Sequence, residues 1–319
     1  MSADPLSDVL QAVRLRGAVF YWVEAAPPWA AVSPPAREIA AKVMPGADHV
    51  MEFHLLVEGA CWAGLLGAAP ERAEAGDVVV FPQGDAHCFR SALDLPPPPP
   101  GFPPGERPSL PIVMRHGTGT VAAARFVCGY LGCDARPFNP LLAALPRMLR
   151  VPSGEGPLRE LMRLAVAETA TPRPGGEALR ARLAEMMFVE AVRLHLARVP
   201  REAVGWLAAL REPQVAGALA LLHGWPAQRW TLEVLAREVG LSRTLLHERF
   251  TRFVGLPPMQ YLARWRVQLA ATRMAQGGDK VAAIALEVGY ESEAAFNRAF
   301  KRLVGVPPAA WRRSRGAAS

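Results

Sequence analysis

The sequence predicts a two-domain α+β protein: a β domain, a helical connector and a basic, all-helical C-terminal third. Three observations point there. Short apolar runs broken by Gly and Pro fill residues 1–92, helical periodicity sets in from Leu141, and the last third contains an internal repeat. At 319 residues the chain is long enough for two domains. Its 51% hydrophobic and 20% charged content suits a sizeable buried core.

Within the β domain, Val50–Val57, Cys61–Leu66, Asp77–Pro82 and Ala86–Phe89 read as strands. Pro96–Pro100 are consecutive prolines, and Gly101, Pro103, Pro104, Pro108 and Pro111 follow. Proline lacks the amide hydrogen that a helix or central strand needs, so this stretch reads as a solvated polyproline II loop. Strand character resumes at Gly119–Leu131, so the loop interrupts the β domain rather than ending it. Leu158–Glu168 and Glu177–Ala197 then place apolar residues at helical spacing, separated by a Pro/Gly break at residues 172–176. Met186, Met187, Val189 and Leu194 suit either the protein's own core or a partner helix, so this region is a linker or a dimerisation face. The expected domains are residues 1–150, a connector at 151–212, and a helical domain at 213–319.

The net charge is +7, and its location is informative. Pro213–Ser319 carries 15 Lys and Arg against 7 Asp and Glu, while the rest of the chain carries 21 against 22. A basic module on a near-neutral body points to a polyanionic partner, because neutralising phosphates releases counterions. The four cysteines, Cys61, Cys88, Cys128 and Cys133, form no CxxC pair and no disulfide framework. The segment MSADPLSDVL has no signal-peptide pattern, and no apolar run is long enough to span a membrane. A reducing, cytoplasmic setting is expected.

The strongest signal is the repeat. Leu235–Pro258 reads LAREVGLSRTLLHERFTRFVGLPP, and Ile284–Pro308 reads IALEVGYESEAAFNRAFKRLVGVPP. One extra residue enters the second copy near Glu291. In each copy an amphipathic helix runs into Gly240 or Gly289, which can take positive φ without a Cβ penalty. Ser242 and Ser292 then stand where a second helix needs an N-cap. That helix carries Leu246 and Phe250, or Phe296 and Phe300, at i, i+4 on one buried face. This is a helix-turn-helix pattern, in which the second helix enters the major groove.

These residues resemble the DNA-binding domain of the AraC/XylS family of transcription regulators, over Val215–Arg313. The resemblance implies two reading units joined by a long helix, here Pro258–Gln276. It implies base contacts from Arg243, Thr244, His247 and Glu248 in the first unit, and from Glu293, Ala294, Asn297 and Arg298 in the second. Arg pairs with guanine, Asn with adenine, and Glu accepts from cytosine. Ser242, Arg249, Arg252, Lys301 and Arg302 are expected on phosphates. Trp265 and Trp311 are expected in the core.

Gly76–His87, GDVVVFPQGDAH, resembles the second cupin motif through Gly76, Pro82, Gly84 and His87. The first cupin motif is altered: Gly46 is followed by Glu52 in place of its first histidine, then by His54 and Glu58 at matching positions. Ser91 stands where an asparagine is expected. The resemblance implies a cupin-like β-barrel with an incomplete metal set. Cys128-Gly129 lies on a later strand, as in related regulators. His54, His87 and Cys128 are the expected ligands, with zinc the suited ion and Glu52 and Glu58 secondary. Against this stands a vestigial barrel whose histidines are satisfied by hydrogen bonds. Trp22, Phe53, Trp62 and Phe81 are the candidate lining of an effector pocket.

The expected function is therefore a transcription regulator that binds double-stranded DNA under control of a small-molecule or metal effector, with possible homodimerisation. The alternatives are a constitutive DNA binder with a vestigial cupin and a metal-dependent cupin enzyme. The altered first motif and the attached DNA-reading domain argue against the enzyme.

Overall fold

The structure, a computed structural model, describes residues 4–100, 112–135, 137–171, 173–200 and 202–316. In chain order the first elements are α1 (Pro5–Ala12), β1 (Arg16–Ala25), β2 (Ala30–Ser33), α2 (Ala36–Val43), β3 (His49–Leu65), β4 (Glu71–Glu74), β5 (Asp77–Phe81) and β6 (His87–Arg90). Then come β7 (Ile112–His116), β8 (Ala124–Cys133), α3 (Pro140–Ala144), β9 (Leu149–Pro152), α4 (Pro157–Ala170) and α5 (Gly176–Arg198). The rest is helical: α6 (Trp206–Ala209), α7 (Pro213–Gly224), α8 (Leu232–Glu238), α9 (Arg243–Val254), α10 (Pro258–Gln276), α11 (Val281–Glu287), α12 (Glu293–Val304) and α13 (Pro308–Gly316).

Two compact units emerge. One holds Leu15–Cys133 with Leu145–Arg198; the other holds Met1–Arg14, Asp134–Ala144 and Val199–Ser319. This corrects the expected boundaries: residues 151–212 are not a separate connector. α5 buries Leu183, Met187, Phe188 and Val192, and α4 and β1 pack against it. An apolar helix face must be covered, and here the β unit covers it. Of the methionine pair, Met187 is buried and Met186 exposed.

The β unit is a curled half-barrel, with strand order β2-β6-β3-β8-β1-β7. Its spine is β3, longer than the two strands read from the sequence because Gly59 and Ala60 continue it. The first half of β3 pairs with β5 and β8, and the second half with β4 and β6. β5, DVVVF, is buried throughout, as a β-branched run in mid-sheet should be. A register shift between Leu56 and Glu58 bends β3, and Gly59 beyond it takes φ +79°, where a Cβ would strike the Ala123 backbone. β1, β2, β4, β7 and β9 were not anticipated.

The second unit gathers three chain segments. The Thr272 hydroxyl and Gln268 Nε2 of α10 donate to the Ala12 carbonyl at 2.8 and 3.1 Å, at the end of α1. Gln268 Oε1 accepts from the Phe138 amide at 2.9 Å. Arg14 forks onto both carboxylate oxygens of Asp134 at 2.7 and 2.9 Å. Deeper in, Trp206 donates to the Tyr261 hydroxyl at 2.9 Å, which lies 2.8 Å from His223 Nε2.

Candidate functional site

The two repeats fold alike. Gly240 and Gly289 take φ +70° and +93°. The next amides, of Leu241 and Tyr290, donate to the Ala236 and Ala285 carbonyls, each at 2.9 Å. Ser242 and Ser292 then cap α9 and α12 by accepting from the Leu245 and Ala295 amides, each at 3.2 Å. Leu246, Phe250, Phe296 and Phe300 are fully buried, as the i, i+4 spacing requires. Gly255 and Gly305 close the two helices in the left-handed region. α10 spans the range read from the sequence, and Trp265 and Trp311 are buried.

With those faces turned inward, the polar residues of α9 and α12 are left outward. Arg243, Thr244, His247, Glu248, Glu293, Ala294 and Arg298 are exposed, and Asn297 is half-buried. Arg252, Lys301 and Arg302 are also exposed. Two arginines carry protein partners. Arg243 meets Glu233 at 2.9 Å, a surface pair that DNA can displace at small cost. Arg249 donates to Glu212 at 3.2 Å and Gln214 at 3.1 Å, anchoring the first turn of α7. That tie competes with the phosphate contact expected of Arg249.

The barrel site grows from strand alternation. Glu52 and His54 share one face of β3, and β6 opens on His87; all three are buried. The Nε2 atoms of His54 and His87 are 2.8 Å apart, and Glu52 Oε2 is 3.6 Å from His87 Nε2. Tetrahedral zinc ligands stand roughly 3.4 Å from one another when each bond is near 2.1 Å. Glu52, His54 and His87, whose ligand atoms lie within 4.8 Å of one another, thus suit an ion after slight separation of the imidazoles. Glu52 Oε1 is buried with no hydrogen-bond partner among the described residues.

The expected third ligand is displaced by this geometry. Cys128 Sγ lies 3.0 Å from Nδ1 of His54, on the far side of the ring from His87. One ion cannot take His54 Nε2 and Cys128 together in this ring orientation, so Cys128 orients the imidazole instead. Glu58 does not join the cluster either. The register shift turns it outward, where it pairs with Arg125.

Burial fixes the protonation states. His87 is pushed down to about 4, and His54 well below its ordinary value, by desolvation. Desolvation raises Glu52 to about 8, against a hydrogen bond from Ser33. Burial also lifts the Cys128 thiol above its ordinary value.

A cavity of about 80 Å³ opens beside the cluster, with Glu52, His54 and Cys128 on its wall and Tyr21, Trp29 and Phe126 among the aromatic residues around it. None of the four expected pocket residues lines it. Trp22 and Phe53 sit between lining residues on their strands and so face the opposite side. The Arg72 guanidinium carbon lies 5.8 Å from the Trp62 ring centroid. Phe81 stacks on His87 at 3.6 Å and 9°, supporting the cluster from behind.

A half-barrel carried on one chain with two capped helix-turn-helix hairpins defines a helix-turn-helix regulator with a separate β domain. A sequence model described as Cupin matches residues 4–197, and one described as Helix-turn-helix domain matches residues 235–314. A putative AraC-like transcription regulator of Streptomyces lividans is 34% identical over 97% of this chain and 98% of its own. Another from Streptomyces antibioticus is 33% identical over 97% of this chain and 98% of its own. The HTH-type transcriptional regulator AlkR of Acinetobacter baylyi is 29% identical over 80% of this chain and 85% of its own. The chain belongs to the AraC-like transcription regulators, with a cupin domain followed by a helix-turn-helix domain.

Proposed function

We propose that this protein is a cytoplasmic, sequence-specific DNA-binding regulator whose DNA affinity is set by an effector held in the half-barrel. The supporting observation is the buried Glu52–His54–His87 cluster beside a cavity, on the same chain as two outward-facing polar helices. In this reading Glu52, His54 and His87 hold zinc, with Cys128 and the Asp85 carbonyl fixing the imidazoles. Zinc held there would supply a positive charge to balance the Glu52 carboxylate and Lewis acidity beside the cavity. Effector binding then shifts the population between DNA-competent and incompetent forms. The half-barrel is a sensor rather than a catalyst.

A second reading has its own support. His87 Nδ1 donates to the Asp85 carbonyl at 2.9 Å, so neutral His87 accepts from His54, which in turn accepts from the Cys128 thiol. The imidazoles are thus satisfied without an ion, as in a vestigial cupin that serves a constitutive binder as a dimerisation platform.

Elemental analysis of the purified protein, alongside selection of bound sequences from a random duplex pool, separates these readings. One enriched motif with stoichiometric zinc is the expected result. An enriched motif with no metal favours the vestigial barrel. No enrichment, with or without added zinc, overturns sequence-specific binding.

A further inference from the structure

The helix α10 connects the two reading hairpins covalently, but a single side chain also ties them together directly. Arg266 lies in mid-α10. Its Nε donates to the Pro226 carbonyl at 2.7 Å and its guanidinium to the Gln228 carbonyl at 2.9 Å. Those carbonyls belong to the loop that runs from α7 into the first hairpin. The loop is itself closed by the Trp230 indole donating to the Trp225 carbonyl at 3.0 Å, and Thr231 then caps α8. The carbon of the same guanidinium lies 5.8 Å from the ring centroid of Tyr290, in the turn of the second hairpin. Tyr290 meets Phe296 of α12 edge-on at 5.3 Å.

Gly289 shows how closely the two hairpins approach. A Cβ there would stand 2.6 Å from the Ala227 Cα and 3.0 Å from the Arg266 guanidinium carbon. The glycine thus serves two needs: its positive φ, and room for the first hairpin's loop against the second hairpin's turn. Arg229 reaches Glu291 at 3.2 Å across the same junction, and Glu291 marks the extra residue that separates the two repeats. That pair is exposed and adds little. The Arg266 fork is half-buried, accepts no substitute of the same geometry and meets both sides.

We propose that Arg266 is a positioning residue that locks the spacing of α9 and α12, and so decides how far apart the two DNA segments read by this protein must lie. The proposal rests on the reading that both helices enter the major groove. One inserted base pair moves the second segment by roughly 3.4 Å and turns it by about 35°. A locked pair of hairpins cannot follow that shift; an unlocked pair can.

Two measurements on the full chain test this. The first is affinity for a duplex carrying the sequence that the wild-type protein enriches from a random pool, with and without one base pair inserted between the two protected segments. The wild type should lose about tenfold or more on the insertion, the scale of a mismatched contact. Arg266→Ala should weaken binding to the uninterrupted duplex but lose less than about threefold on the insertion. Arg266→Lys should restore the lock only partly at best, because a compact ammonium lacks the planar fork that meets two carbonyls while its face lies over Tyr290. The second is the distance distribution between spin labels placed at Thr244 and Ala294 without DNA: narrow in wild type, broadened in Arg266→Ala. If Arg266→Ala does not fold, Arg266→Gln, which keeps one donor nitrogen but no charge, supplies both readings. A variant with unchanged insertion penalty and an unchanged narrow distribution overturns the lock, as does full rescue by lysine. If the wild type enriches no sequence, the regulator reading fails, while the label distances still decide whether Arg266 holds the hairpins.

Discussion

The Nε2 atoms of His54 and His87 face each other at 2.8 Å, closer than two ligands of one zinc ion and at the length of a hydrogen bond. Without an ion a proton lies between the rings; the proposed zinc would require them to part by roughly 0.6 Å. Phe81 lies flat against His87, with 3.6 Å between centroids and 9° between planes.

The ligand set makes a differential prediction. His87→Ala and Glu52→Gln should each abolish stoichiometric zinc, measured by elemental analysis after dialysis. Cys128→Ser should retain zinc with affinity lowered about 10–100-fold, the usual effect of losing a group that orients a ligand. Glu58→Ala should change nothing. Zinc lost outright in Cys128→Ser would restore the thiolate to the ligand set.

Stability of the metal-free protein should depend on pH in two opposed ways. Below the ordinary histidine value of 6.5 the unfolded chain takes up protons that buried His54 and His87 refuse, so stability falls as the solution is acidified. Glu52, raised to about 8, holds a proton in the folded state that the unfolded chain releases above its ordinary carboxylate value. Stability is therefore lost as pH climbs toward and through about 8. Each such group contributes at most about 1.4 kcal/mol per pH unit. Urea midpoints should show the decline toward pH 8 in wild type and its absence in Glu52→Gln, which should still lose stability on acidification. The same alkaline decline in both proteins would contradict the assignment to Glu52.

On the DNA side, Arg298→Ala should weaken binding to the selected duplex by about 1–3 kcal/mol and leave random duplex much less affected. Equal losses on both would make Arg298 a phosphate contact. Arg249→Ala should instead lower the unfolding midpoint of the helical unit, because its partners are the α7 N-cap Glu212 and Gln214 in the first turn.

Phe250→Ala and Phe300→Ala remove equivalent, fully buried rings from the two hairpins. Each should cost about 3–5 kcal/mol, read from denaturant unfolding. A cost below about 1 kcal/mol at either position would mean that its hairpin packs less tightly than its burial indicates.

The reading hairpins were legible in the sequence because each depends on short-range signals: a glycine at the turn, a capping serine and an i, i+4 apolar pair. The barrel was legible only in part. Glu52 and His54 were placed on one face by alternation, and the same alternation excludes Phe53 from that face. It also puts Tyr21 with Val23, and Phe126 with Cys128 and Tyr130, on single faces. What alternation cannot supply is which strands are neighbours, and β1 itself went unread. The misplacement of Cys128 had another cause. Which ring nitrogen of His54 faces the thiol is set by a tertiary contact with β8, a strand 74 residues away in sequence. The seat of α1 is of the same kind, since Ala12 meets Gln268 and Thr272 across most of the chain.

The three-segment make-up of the helical unit bears on how this protein can be taken apart. No single cleavage releases the unit whole: a fragment starting at Val199 leaves behind Met1–Arg14 and Asp134–Ala144. Gln268 and Thr272 would then turn to water the groups that now hold the Ala12 carbonyl and the Phe138 amide. During synthesis the first helix must likewise wait for nearly the entire polypeptide to emerge before its docking site exists. Final assembly of the DNA reader is thus a late, post-translational event, whatever the order in which the half-barrel forms.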